Sequence, residues 1–289
     1  MSHRLLLGSA LLIAATLAHP ISAAAAEDEG GFASRFSGIA QTDFTNAYYF
    51  RGILQERDGF IAQPWGELYF RLFESDTGPI RDVTIGGGVW ASFHTQETAA
   101  SERPRSLYET DWYPLISLSF PHGLSLTTIY YWYTSPNGAF QHTEELNFKL
   151  AWDDSETLGA FALSPWINLA IETHKTALGP RRGQGLQMGI APTLFEIPIE
   201  NYPVTVTAPV DLGISIDDYY ENSSGKDRTF GYTSFGIGLS VPLAFVPEGA
   251  GAWSLGLTGK AIVLSDTLSK VNRGDHVSPI GTASVSVEF

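Results

Sequence analysis

The nine residues 281–289, GTASVSVEF, decide how the rest of the chain is read. Gly281, Ala283, Val285, Val287 and Phe289 alternate with Thr282, Ser284, Ser286 and Glu288. A repeat of two places one set on each face of a β-strand, so this segment has one apolar and one polar face. Moving outward, the same rule recurs. Trp253, Leu255, Leu257, Ala261 and Val263 oppose Ser254, Gly256, Thr258 and Lys260, and Val204, Val206, Ala208, Val210, Leu212 and Ile214 oppose Thr205, Thr207, Asp211 and Ser215. Leu146, Phe148, Leu150 and Trp152 oppose Glu145, Asn147 and Lys149, and Val83, Ile85, Val89 and Phe93 oppose Asp82, Thr84, Gly88 and His94.

Such segments begin near residues 32, 60, 80, 108, 123, 142, 161, 184, 203, 229, 251 and 277. That gives about twelve strands, an even number, each reaching the ~9–11 residues that a tilted membrane strand needs. The fold predicted is all-β: an antiparallel up-and-down transmembrane β-barrel of about 12 strands over residues 32–289. Connections on the side of the chain ends are short (ESDTGP, FPHG, DDSETLG, EIPIENYP, AFVPEGAG), and those on the other side are longer and more charged (HTQETAASERPRS, THKTALGPRRGQG, DDYYENSSGKDRT, SDTLSKVNRGDH). An outer-membrane barrel has this asymmetry. The competing fold is a secreted soluble β-sandwich or lipocalin-like cup with its apolar face inward. Against it stand polar faces rich in Gly, Ser and Thr, and apolar faces that end in aromatics, as an interfacial girdle requires.

Residues 1–26, MSHRLLLGSALLIAATLAHPISAAAA, combine a basic start, an apolar run and a small-residue end, the pattern of a secretory signal peptide. Residues 27–31 are then a short leader. Losing the signal removes Arg4 and no acid, so the acidic excess grows by one from a net charge of −14. Phosphate backbones reward Lys and Arg, so nucleic acid is excluded as a partner. With no cysteine there is no disulfide, thiolate nucleophile or cysteine-held metal. Past the signal, no run of ~18 apolar residues is left to form a membrane helix.

Three stretches resemble the TorF-like porins, a family of exported bacterial barrels. They are YYFRGILQ at 48–55, GGGVWASF at 86–93 and YYWYTSPNGAFQHTEELNF at 130–148. The family's aromatic-Phe-Arg-Gly element maps onto Tyr49, Phe50, Arg51, Gly52 and Ile53. Its tyrosine-rich strand leading to a proline and a glutamate maps onto Tyr131, Tyr133, Pro136 and Glu144 or Glu145, with Thr134 and Ser135 separating tyrosine from proline. The resemblance implies a bacterial outer-membrane location and a porin-like role. The terminal aromatic, Phe289, is similar to the residue by which such proteins are presented to the outer-membrane insertion machinery.

Alternation assigns the polar face to the lumen. The candidate selectivity residues are Arg35, Arg51, Glu67, Arg71, Asp82, Glu145, Lys149, Glu172, Asp211 and Lys260, with Asp43 and Glu288 beside them. Charges of both signs in a narrow passage steer small solutes or ions by their local field. The same charges can instead pair and plug a twelve-stranded barrel, which is narrower than a general porin. Interface aromatics are assigned to Tyr48, Phe50, Tyr130, Trp132, Trp152 and Trp253. Carrying parity forward from Phe36 puts Tyr48 and Phe50 on the lipid side of one overlong strand that folds back at Asp58-Gly59, with Arg51 turned to water or to a luminal carboxylate such as Glu67.

Other chemistry has weaker signals. Ser92 and His94 share a strand face, the spacing of a barrel-housed lipid hydrolase, but no phospholipase signature accompanies them and the histidines read as rim residues in water. Asp153-Asp154 and Asp217-Asp218 lack the spaced oxygens of a calcium loop and read as solvated strand ends. Gly86-Gly87-Gly88 opens no helix, so it is a place for close approach rather than a phosphate cradle. Asn222-Ser223-Ser224 matches a glycosylation sequence, which carries little meaning behind a bacterial-type signal. Arg181-Arg182 lies in a long loop that could meet lipopolysaccharide phosphates, with a solubilising loop as the plainer reading. No cofactor, metal site or catalytic residue is predicted; the partners expected are membrane lipids and lipopolysaccharide, the insertion machinery, and small solutes or ions.

Overall fold

Alternating residues can bury one face only if the sheet finds a second layer or closes on itself, and here it closes. A computed structural model of the protein describes residues 31–222 and 224–289. The predicted signal peptide and most of the leader lie outside the described residues.

In chain order the strands are β1 (Phe36–Thr45), β2 (Tyr48–Phe50), β3 (Ile53–Glu56), β4 (Ile61–Glu74), β5 (Asp82–His94), β6 (Leu107–Ser119), β7 (Leu124–Thr134), β8 (Thr143–Trp152), β9 (Trp166–His174), β10 (Gln184–Ile190), β11 (Thr193–Ile197), β12 (Val204–Thr207), β13 (Val210–Asp217), β14 (Phe230–Pro242), β15 (Ala252–Leu264) and β16 (Val277–Glu288). Two short helices, α1 (Ser155–Leu158) and α2 (Asp266–Val271), sit in connections at opposite ends.

Each barrel strand pairs antiparallel with its neighbours in sequence, and β1 pairs with β16 from Ile39↔Glu288 to Thr45↔Thr282, which shuts the ring. The result is a closed antiparallel barrel of 12 staves. Two staves are interrupted. β10 runs into β11 across Ala191-Pro192, and β12 runs into β13 across Ala208-Pro209. Proline has no N–H to give to a ladder, so the sheet breaks there and resumes.

Parity follows the sequence reading. On β16 Ser278, Ile280, Thr282, Ser284 and Ser286 point inward, and on β8 Thr143, Glu145 and Asn147 are buried inward, leaving Leu150 exposed outside. Outward, Leu68, Leu72, Ile85, Val89, Ile116, Phe235, Ile237, Leu255 and Leu257 form an apolar band around the wall. Phe289 closes the last seam: its N–H donates to the Gly38 carbonyl at 3.0 Å, and Gly38 returns the bond at 2.8 Å.

One element departs from the predicted course. The first strand stops at Thr45, and β2 and β3 form a separate two-stranded hairpin turned into the barrel from the end opposite the chain termini. Tyr48, Phe50 and Ile53 are completely buried. Tyr48 and Phe50 are therefore not interface aromatics: with no second sheet to cover them, apolar side chains at a loop are covered in the lumen instead.

Candidate functional site

The inward hairpin is built by its turn. Phe50 pairs with Ile53, so Arg51 and Gly52 are the two turn residues, with φ of 43° and 86°. Two positive φ values in a two-residue loop match the twist of the flanking strands. Glycine adopts this freely, but for arginine it costs about 1–2 kcal/mol, so the contacts around Arg51 must hold it there. Asp58-Gly59, the turn the sequence suggested, instead returns the chain to β4, with Gly59 at φ 78°.

The guanidinium of Arg51 is forked onto Glu145 of β8. Nη1 donates to Oε1 at 2.9 Å, Nη2 lies 2.7 Å from Oε2, and Nη2 also donates to Asn147 Oδ1 at 3.1 Å. The Tyr219 hydroxyl accepts from Nη1 and donates to Glu145 Oε1 at 2.9 Å, while Tyr133 donates to Oε2 at 3.1 Å. The guanidinium carbon also stands 4.9 Å from the centre of the Phe50 ring. Burial, the largest single influence, would lower the arginine's pKa; the Glu145 carboxylate together with Tyr219 and Tyr133 outweighs it and holds the group well above its ordinary value. Burial pushes the hydroxyls of Tyr219 and Tyr220 up, so both remain donors. Both terminal nitrogens of the guanidinium and both oxygens of Glu145 are thus met, as a buried charge requires.

Two loops from the same end clamp the hairpin backbone. Asn272, following α2, donates to the Gly52 carbonyl at 2.6 Å and accepts from Leu54 N–H at 2.8 Å. Tyr220 donates to the Arg51 carbonyl at 3.0 Å. Further anchors, toward the base of the hairpin, are Tyr48 to Glu109 at 2.9 Å, Tyr108 to Gln55 at 2.6 Å and Tyr49 to Ser278 at 2.8 Å. Among the described residues no sequence signal marked Asn272, Tyr219 or Tyr220: each acts through a fold contact more than 160 residues from the hairpin.

Below the hairpin, toward the chain termini, lies a cavity of about 340 Å³. Its wall carries hydroxyls of Thr207, Ser234, Ser254, Thr258, Thr282 and Ser284, the carboxylates of Asp43, Asp211 and Glu288, and Lys260; Arg51 and Gly52 form part of its roof. Lys260 Nζ sits 2.9 Å from Asp211 Oδ2, which also accepts from Ser234 at 2.8 Å.

The other predicted luminal charges separate by role. Glu145 and Arg51 make the central pair; the predicted partner, Glu67, instead accepts from Tyr113 at 2.8 Å and from Tyr69. Gly88 leaves the space that Tyr113 occupies, the close approach expected of the glycine run. Lys149 stands 5.8 Å over the Trp166 ring. Glu172 accepts backbone N–H bonds from Ala177 and Gly183, so it braces a loop rather than facing the cavity. Arg35 belongs to an exposed 3₁₀ turn ahead of β1, Arg71 pairs with Glu74 at 2.9 Å, and Asp82 begins β5. These three lie at the rim, because the strand pattern alone does not locate where the lumen narrows.

Of the aromatics, Trp132 is exposed outside and Tyr130 is partly exposed beside it. Trp152 and Trp253, at the termini end, donate their indole N–H groups to the carbonyls of His122 and Ala250. Ser92 and His94 do meet, at 2.8 Å, but both are fully buried, and His94 stacks on Tyr108; this corrects the reading of His94 as a rim residue in water. Asp154 is likewise no solvated strand end: it is buried and accepts from the N–H groups of Leu163 and Ser164. Arg181 pairs with Glu221 and Asp218, and Arg182 donates to the Thr173 carbonyl. Ser223 lies outside the described residues, and Asn222 accepts from the N–H groups of Ser224 and Lys226.

No family model matches the chain, and no curated protein does. Among solved structures it is similar to an outer membrane channel from Pseudomonas putida F1, with 11% identity and a TM-score of 0.44 over 88% of this chain and 95% of that one. It is similar to the β domain of the Bordetella autotransporter BrkA at 10% identity and a TM-score of 0.42, over 88% and 99% of the two chains. LpxR from Salmonella typhimurium matches at 8% and 0.43, over 87% and 100%.

Proposed function

We propose that the protein is a bacterial outer-membrane barrel whose lumen is a gated, porin-like channel for small polar solutes or ions. The apolar band around the wall supports a lipid setting, since a closed barrel leaves no unpaired edge for lipid to meet. The observation that carries the channel reading is the cavity lined by hydroxyls and charge directly under a hairpin that polar contacts, the forked Arg51–Glu145 pair and Asn272 foremost, hold in place. A barrel that needed only to be filled could use apolar side chains throughout; a water-facing lining under a removable roof suits passage. Membership of the TorF-like porins belongs to the same proposal and rests on the three matching stretches.

Planar-bilayer recording tests it. The native protein should be closed most of the time, and a variant with residues 47–59 replaced by a short Gly-Ser link should show discrete conductance steps in KCl. Silence of that variant, with its barrel intact by its heat-shifted gel mobility, favours the second reading, a barrel without transport that serves as a scaffold. The complete burial of Tyr48, Phe50 and Ile53 is the observation behind that second reading.

A further inference from the structure

At the termini end, the outer wall is not an even cylinder. Leu150, Trp152, Ile167, Met188, Ile190 and Leu212, from β8, β9, β10 and β13, surround an apolar groove of about 560 Å³ on the outward face. Two of the staves that border it are those broken by Pro192 and Pro209, and the backbone of Gly189 lies at its floor, with Trp166 filling the lumen side where a Cβ would stand. Charge below the groove is one-sided. Connection 153–165 carries Asp153 and Glu156, and the turn from β11 to β12, residues 198–203, carries Glu200; neither segment contains a lysine or arginine. Glu156 and Glu200 are exposed, while Glu196, opposite Thr205, belongs to the lumen face. Asp154 is already committed to its own loop. At the same end, the basic residues Arg35, Arg71 and Arg81 stand on the other sector, around β1, β4 and β5.

We infer that this groove is a binding site for a phospholipid with an ammonium headgroup, its acyl chain filling the apolar slot and its ammonium facing the carboxylates below. The inference rests on the membrane reading proposed above. An anionic headgroup would meet uncompensated carboxylates, and each like charge at a membrane surface changes occupancy by about fivefold. A depression of this size lined by apolar side chains holds a ligand by shape, whereas the convex remainder of the band meets lipid without preference.

The test uses the full chain purified in mild detergent, mixed with equimolar phosphatidylethanolamine and phosphatidylglycerol of identical acyl chains, and examined by native mass spectrometry. One phosphatidylethanolamine should be retained in at least about fivefold preference. Met188→Trp, which fills the groove from a lipid-facing position, should remove the retained lipid, and Glu156→Lys with Glu200→Lys should reverse the preference. The heat-shifted gel mobility of each variant checks that the barrel is intact. Equal retention of both lipids by an intact barrel, or full retention by Met188→Trp, overturns the site and leaves the membrane reading standing. A chain that inserts into vesicles of neither lipid overturns both.

Discussion

Arg51 pairs a strained backbone with a buried charge, and each supports the other. Its positive φ would relax if the guanidinium were free, and the guanidinium could not be buried without the carboxylate of Glu145. Breaking one side of a buried pair costs about 3–5 kcal/mol, more than removing both. Arg51→Ala and Glu145→Gln should each lower the midpoint of urea unfolding and raise single-channel open probability, and the Arg51→Met, Glu145→Leu double variant should recover part of the stability. Arg51→Lys should behave nearer to alanine than to the native residue, because a lysine cannot span both carboxylate oxygens. Urea titration and bilayer recording read the two effects separately.

The hairpin as an element depends on its turn and on the two loops that clamp its backbone. Gly52→Ala introduces a Cβ at φ 86° that would come 2.6 Å from Leu268 Cδ1, so strain and clash act together. Faster cleavage within 46–60 by an added protease is the expected result. Asn272→Ala leaves a buried carbonyl and a buried N–H without a partner, worth about 1–3 kcal/mol each, and should loosen the same segment with little effect on the wall strands. Amide exchange distinguishes these outcomes, since only the hairpin amides should speed up. The sequence made most of the wall legible: strand starts fell within a few residues of those observed, and the parity of β8 and β16 was right throughout. It failed at residues 46–60 for a physical reason. Alternation reports that one face of a segment is apolar, but a tyrosine that meets lipid and one that meets the inside of the barrel leave the same pattern. The position of Arg51 was the usable clue, since a guanidinium on that segment had to find a carboxylate, and the partner it found is Glu145 rather than Glu67.

For the molecule as a whole, the cavity sets an electrical preference. Asp43, Asp211 and Glu288 outnumber Lys260 below the roof, where Arg51 is already neutralised by Glu145. Once the hairpin is withdrawn, reversal potentials in a KCl gradient should show cation preference, and Lys260→Ala should strengthen it by freeing Asp211. A shift toward anions in that variant would contradict the assignment of these groups to the conduction path. Candidate luminal residues were legible from sequence as a set, but their division into cavity, brace and rim was not, because depth along a stave depends on the tilt and stagger that only closure establishes.

The seam between β1 and β16 also dictates an order of events. Ile39 faces Glu288, so the first strand of the ring waits for the last, and the ladder between them cannot form until nearly the whole chain is available. Contacts this distant in sequence are slow to form. Asn272, which grips the hairpin, immediately precedes that last strand. The hairpin must therefore be inside before the ring is sealed, or enter through its open end afterwards. On the first of these routes assembly is a ship built around its cargo: the interval before β16 pairs is when the lumen is loaded, and a factor that holds the final strand back would govern whether the finished barrel is stoppered.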